Sequence, residues 1–98
     1  MASVVEIGTL IDRDPAIHGG RPKLAGTGLT VRRIVGWYKM GMIPEEIALE
    51  YPHLTLAQVH AALAYYHANR DEIEADIAQE EASAARWERQ SAKGPKEG

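Results

Sequence analysis

The stretch LTLAQV, residues 54–59, specifies the start of a helix more firmly than any other part of the chain. Thr55 and Gln58 form a T-x-x-Q capping box, in which each side chain accepts a hydrogen bond from the backbone N–H of the other residue. The box predicts a helix that begins at Leu56 and runs to about Asn69, a residue that tolerates the left-handed conformation found at helix ends. The apolar stripe of this helix is Leu56, Val59, Leu63 and Tyr66.

Two further helices are predicted before this one. The first begins after Thr30, a potential N-cap, and ends at Gly41, because glycine is the usual residue just beyond a helix C-terminus. The second, in MIPEEIALEYP, has Pro44 at its first position and ends against Pro52. Its predicted inner face consists of Ile43, Ile47 and Tyr51.

The remaining segments complete a mostly α fold. SVVEIGTLI and RPKLAGTGLT read as short strands, the second folded around a Gly-Thr-Gly turn. Three short helices, with only PHL between the last two, have the spacing of a helix-turn-helix. We therefore predict an N-terminal β/loop arm (1–29), a trihelical helix-turn-helix core (30–69), a C-terminal amphipathic helix (70–90) and a disordered tail (91–98).

Length and composition exclude several classes of protein. Ninety-eight residues suit one domain with a small core, which favours a homodimer. The chain has no cysteine, so disulfides, thiolate zinc sites and cysteine nucleophiles are excluded. The N-terminus lacks the features of a signal peptide or membrane span, and we expect a cytoplasmic protein without a cofactor.

The glycine-rich stretch 17–41 contains neither a P-loop nor a dinucleotide fingerprint, and its glycines are best explained by turns. Its basic residues could instead contact DNA phosphates, with a solvated surface as the alternative. The exposed start of the third helix would supply the base contacts, although Gln58 is also needed for the capping box. The predicted DNA-binding residues are Arg21, Lys23, Arg32, Arg33, Thr55, Gln58 and His60.

Catalysis and metal binding are not expected. His53, His60 and His67 recur every seven residues, which separates neighbours by about 10 Å along a helix. That spacing is too large for two ligands of one metal ion. The acidic residues of the last helix are spread around it, and we interpret them as its solvated face. These residues are Asp71, Glu72, Glu74, Asp76, Glu80 and Glu81.

Several blocks in a fixed order resemble a known family. GGRPKLAGTGLTV, a helix, G-x-x-P-E-E-I, YPHLT and DEIEADI are similar to the domain-of-unknown-function family 433 (DUF433), over roughly residues 7–80. Members are commonly described as VapB-type antitoxins found next to PIN-like ribonuclease toxins. The family usually has arginine where this chain has Gly28, so any contact made by that arginine is lost here.

The resemblance implies an antitoxin of a type II toxin–antitoxin pair, which neutralises a PIN-like ribonuclease by binding and represses its own promoter by binding operator DNA. Arg86, Trp87 and Arg89 would bind the toxin, since Arg and Trp often dominate interfaces and an arginine can pair with acidic nuclease residues. Two alternatives stay open. A helix-turn-helix regulator without a toxin would not need these residues, and a protein-interaction module would bind no DNA.

Overall fold

The computed structural model describes residues 4–93, and the side chains of residues 4–88. Its fold is the predicted one, mostly α with a short N-terminal β segment. Residues 91–93, which were predicted to belong to the disordered tail, are helical and form the end of the last helix. Residues 94–98 of that tail lie outside the described residues. The elements in chain order are β1 (Ile11–Asp12), β2 (Lys23–Leu24), α1 (Val31–Lys39), α2 (Pro44–Ala48), α3 (Leu56–Ala68) and α4 (Arg70–Lys93).

The two ends of α1 lie where the capping residues Thr30 and Gly41 predict them. Thr30 caps α1 by accepting a hydrogen bond from the backbone N–H of Arg33. Gly41 follows α1 with φ at 99°, a conformation that glycine adopts without the strain that other residues meet there. The backbone N–H of Met42 returns to the carbonyl of Trp37 (3.2 Å), which completes a Schellman motif. The ends of α1 are therefore set by residues within it or next to it.

The N-terminal segment differs from the prediction of a strand at residues 3–11. A 3₁₀ turn occupies Ile7–Leu10, and only Ile11–Asp12 pairs with Lys23–Leu24, in antiparallel register. The turn forms because the backbone N–H and the hydroxyl of Thr9 both donate to the carbonyl of Glu6. RPKLAGTGLT does fold back on itself, since Lys23 bridges to Thr30 across its turn.

The core lies between α1 and α3, with one fully buried isoleucine each from α2 and α4. Three residues predicted to face inward do not. Tyr51 is 36% exposed and lies outside α2, which ends at Ala48 and not at Pro52 as predicted. Leu56 is 40% exposed and Ile43 is 55% exposed. Both stand at the very start of a helix, where the first turn projects beyond the packed layer. The buried residues are Leu24, Val31, Ile34, Val35, Ile47, Val59, Ala62, Leu63, Tyr66 and Ile73.

Asn69 separates α3 from α4. Its φ and ψ of −136° and 48° are not helical, and its backbone N–H still bonds to the carbonyls of Tyr65 and Tyr66. The chain therefore changes direction after α3, and α4 returns across the core, where Ile73 is fully buried and Ile77 is half-buried. This turn determines which face of α4 meets the basic residues of the N-terminal half.

Candidate functional site

Two arginines of the predicted DNA-binding set converge on one carboxylate. Arg21 follows a left-handed turn over His18–Gly20 and Arg32 lies in the first turn of α1. Their guanidinium groups reach the same Asp76 Oδ1, with Arg21 Nε at 2.5 Å and Arg32 Nη1 at 3.0 Å. Arg32 Nε also pairs with Glu80 Oε1 at 2.7 Å. Both arginines are thus paired with α4 rather than presented to solvent.

Asp76 is the buried centre of this cluster, with 8% of its surface exposed. Its Oδ2 is buried and has no hydrogen-bond partner among the described residues. Burial of a carboxylate is costly unless it is paired, and two guanidinium groups provide that pairing on the Oδ1 side only. The contact therefore holds α4 against the N-terminal half while one carboxylate oxygen stays unsatisfied.

Lys23 is also engaged within the chain. It lies in β2 with 5% of its surface exposed, and its Nζ is 2.9 Å from Asp12 Oδ1 on the paired strand. This placement argues against a phosphate contact by Lys23 in the structure. Arg33 differs, because it is exposed and its guanidinium stacks 5.5 Å above the Trp37 ring.

At the start of α3, the two residues Thr55 and Gln58, which were predicted to contact DNA bases, are hydrogen-bonded to the backbone of their own helix. Thr55 Oγ1 accepts from the Gln58 backbone N–H at 3.0 Å, and Gln58 Oε1 accepts from the Thr55 backbone N–H at 2.8 Å. A bidentate contact to adenine needs both the oxygen and the nitrogen of a glutamine amide, so Gln58 cannot make one with its cap intact. His60 is exposed on the same helix.

Two further charged clusters were not predicted. Arg13 Nη2 pairs with Glu72 Oε2 at 2.7 Å, and the Tyr65 hydroxyl donates to Glu72 Oε1 at 2.9 Å. The hydrogen bond to Glu72 raises the pKa of Arg13. The pKa of Tyr65 is raised mainly by burial and then by its bond to Glu72.

Glu74 is the centre of the second cluster. Lys39 Nζ lies 2.8 Å from its Oε1, and the Tyr66 hydroxyl donates to its Oε2. These two hydrogen bonds lower the pKa of Glu74, and the same bonds raise the pKa of Lys39 and of Tyr66.

The interpretation of the α4 carboxylates as a solvated face is therefore wrong for the residues that form these ion pairs. Glu72, Asp76 and Glu80 follow each other at intervals of four, so they share one side of α4, and that spacing was the available signal. Asp71 and Glu81 are exposed as expected. The reason for the error is that Arg13, Arg21 and Arg32 lie more than forty positions away in sequence.

The outer half of α4 carries the predicted toxin-binding residues. Every residue from Ala78 to Glu88 is exposed, and Trp87 is 69% exposed beside Arg86. The side chain of Arg89 lies outside the described residues. An open groove of about 730 Å³ lies between this half of α4 and the guanidinium groups of Arg21 and Arg32.

The described residues contain neither a metal-binding cluster nor a membrane-spanning helix. Within them, no three acidic or histidine side chains come together in a way that could hold a metal ion. Within the same residues, no helix has the length and apolar character needed to cross a membrane.

The chain is similar to a protein family and to a solved structure of that family. The family described as "Protein of unknown function (DUF433)" matches residues 11–66. The crystal structure of a DUF433 member protein from Anabaena variabilis ATCC 29413, at 2.00 Å resolution, is similar with a TM-score of 0.67. It is 30% identical, over 71% of this chain and 69% of that chain. None of the curated proteins matches. The family match ends before α4.

Proposed function

This chain belongs to the DUF433 family, and on that premise we propose that it acts as the antitoxin of a type II toxin–antitoxin pair, which binds a PIN-like ribonuclease directly and blocks it. The observation that carries the proposal is the exposure of Trp87 next to Arg86 on a stretch of α4 that leaves the core. A large aromatic ring kept in water is costly unless a partner covers it. Arg and Trp are also the residues most enriched among interface hot spots.

The chemistry of the proposed contact is complementary to a nuclease. An arginine guanidinium forms bidentate, charge-assisted hydrogen bonds with carboxylates, and acidic side chains hold the metal ions of such enzymes. Arg86 would pair with those carboxylates while Trp87 fills an adjacent apolar pocket. Binding of this kind would exclude both metal and RNA from the active site.

The test uses the ribonuclease encoded by the neighbouring reading frame. Trp87→Ala should reduce affinity for it about 30-fold, which corresponds to roughly 2 kcal/mol, the lower limit for a hot-spot residue. Ile7→Ala is the matched control, because it also removes an exposed apolar side chain (61% exposed) but lies in the N-terminal 3₁₀ turn and not on α4. Equal affinity of the two variants would contradict the proposed anchor.

A truncation gives an independent test. A chain that ends after Ala82 keeps Ile73, Ile77 and every carboxylate that pairs with the core, so its helical circular dichroism per residue and its cooperative unfolding should persist. It should nevertheless fail to protect RNA from the nuclease. A folded truncated chain that still protects RNA at equal stoichiometry would move the toxin contact to residues 4–82.

We propose operator DNA as a second partner of this antitoxin. Support comes from the exposed start of α3 after a tight turn, with His60 and Arg33 accessible. Arg33→Ala should weaken binding to all DNA sequences similarly and flatten the salt dependence, as loss of a phosphate contact does. A variant with unchanged affinity and salt slope would remove Arg33 from the DNA interface.

We also propose that the functional unit is a homodimer. Apolar side chains on the α1–α2 side of the fold are exposed, among them Met40 (76%) and Leu49 (84%), and a second copy would cover them. Multi-angle light scattering at micromolar concentration should give twice the monomer mass. A monomer mass at that concentration would contradict this part of the proposal.

A further inference from the structure

A stripe of carboxylates along α4 faces basic residues of the N-terminal half. Glu72, Asp76 and Glu80 are four residues apart, which places one carboxylate about every 6 Å along one side of the helix. The cations opposite them are Arg13, Arg21 and Arg32, at distances between 2.5 and 3.0 Å. Glu74, on the other flank of the same helix, pairs with Lys39 at 2.8 Å, so carboxylates on both flanks of α4 bind cations of the N-terminal half. We call the four cations Arg13, Arg21, Arg32 and Lys39 the covered basic face.

All four cations belong to the N-terminal half and none to α4. Arg13 follows β1, Arg21 precedes β2, and Arg32 and Lys39 lie on α1. These elements pack on α3 through Leu24, Val31 and the other buried residues of the core, independently of the ion pairs. Movement of α4 away from the core would therefore leave the cations in place and expose them together.

Apart from the ion pairs of Asp76, the contacts that hold α4 against the core are few and partly exposed to solvent. In its described part, Ile73 is the only apolar side chain that is fully buried. Most of the ion pairs are partly open to solvent: 48% and 37% of the side-chain surface is exposed for Arg13 and Glu72, and 43% and 40% for Lys39 and Glu74. Ion pairs of that kind contribute little to stability and are screened by salt.

The buried cluster of Asp76, Arg21 and Arg32 contains an unsatisfied polar atom. The Oδ2 atom of Asp76 is buried with no hydrogen-bond partner among the described residues, and an unsatisfied buried acceptor is costly. The unsatisfied oxygen thus offsets part of the stabilisation that Asp76 gains from Arg21 and Arg32. A ligand that offers the arginines better-solvated anionic oxygens can compete with Asp76.

We propose that the covered basic face is a binding surface for nucleic-acid phosphates, and that the acidic stripe of α4 is its internal competitor. The carboxylates occupy the positions at which phosphate oxygens would meet the four cations. DNA binding through this face then requires that α4 be displaced. The inference deepens the DNA-binding part of the proposed function and rests on it, whereas the toxin contact at Trp87 lies farther along the helix.

The test removes charge from the stripe without touching the cations. The double variant Glu72→Gln with Glu80→Gln removes the ion pair of Arg13. It also removes one of the two ion pairs of Arg32, which keeps its contact with Asp76. Asp71→Asn with Glu88→Gln is the matched control, because it changes the net charge equally at exposed positions that form no ion pair with any of the described side chains. Both variants and the wild type are titrated with a short mixed-sequence DNA duplex at several salt concentrations, and their fold is checked by circular dichroism.

The stripe variant should bind the duplex more tightly than the control, with a steeper salt dependence. Each cation that reaches a phosphate adds about 0.9 to the slope of log affinity against log salt, or about 3.5-fold in affinity for a fourfold change in salt. Adding Arg13→Ala and Arg32→Ala to the stripe variant should abolish the gain. Equal affinities and slopes for the stripe and control variants would overturn the inference.

The result does not depend on the nuclease. If the stripe variant gains DNA affinity but the chain gives no protection against the nuclease, the antitoxin role fails and the inference stands. If protection is found and the stripe variant gains nothing over its control, the inference alone fails. Should the stripe variant lose its helical signal, Glu80→Gln against Glu88→Gln makes the same comparison with a single charge.

Discussion

Removal of the Asp76 carboxylate should destabilise the fold far more than removal of Glu80, although both carboxylates bind Arg32. Asp76→Ala deletes two charge-assisted hydrogen bonds, from Arg21 and Arg32, each worth about 1.5–3 kcal/mol. It also removes the unsatisfied Oδ2, which relieves about 1–3 kcal/mol. The arginines regain part of their hydration, since 35% and 20% of their side-chain surface is already exposed. The net loss should be about 2 kcal/mol, against about 0.5 kcal/mol for Glu80→Ala, whose side chain is 53% exposed.

Urea unfolding measures this difference directly. With a slope of about 1 kcal/mol per molar urea, typical of a small domain, the midpoint should fall by about 2 M for Asp76→Ala and by about 0.5 M for Glu80→Ala. Both changes place alanine in α4, so the gain in helix propensity is similar in the two variants. A midpoint for Asp76→Ala equal to or above that of the wild type would refute the reasoning, because the buried pair would then be a net cost.

Two further predictions concern acid stability and glycine conformation. Lys39 and Tyr66 lower the folded-state pKa of Glu74 below its ordinary value of 4.5, so its contribution to stability is present above that pH and is lost as the pH falls through the lowered value. Glu74→Gln should therefore flatten the acid-side decline in the free energy of unfolding, and an unchanged decline would contradict the assignment. Gly41→Ala should cost about 1 kcal/mol because φ is 99°, whereas Gly36→Ala, within α1 and with no heavy atom within 4 Å of the added Cβ, should gain about 0.5–1 kcal/mol. Thermal unfolding should shift in opposite directions for the two, and shifts of the same sign would contradict this account.

The amino-acid sequence by itself determined where α1 begins and ends and where α3 begins, whereas the predicted end of α2 at Pro52 was wrong. The cap at Thr30, the box formed by Thr55 and Gln58, and the Gly41 terminator each act over three to five residues. Hydrogen bonds of that range depend on neighbouring residues alone, so they can be deduced without knowledge of the fold.

Only the tertiary structure decided which charges meet. Arg21 and Asp76 are 55 positions apart, and the carboxylates of α4 that bind cations do not differ in type from those that face solvent. The direction in which α4 returns is determined by the non-helical Asn69 and by burial of Ile73, and a small rotation of the helix would pair a different set of residues. Electrostatic attraction is not specific enough to select among these pairings, because any cation attracts any carboxylate within reach. The turn at Asn69 and the packing of Ile73 against the core thus decided which cations α4 covers.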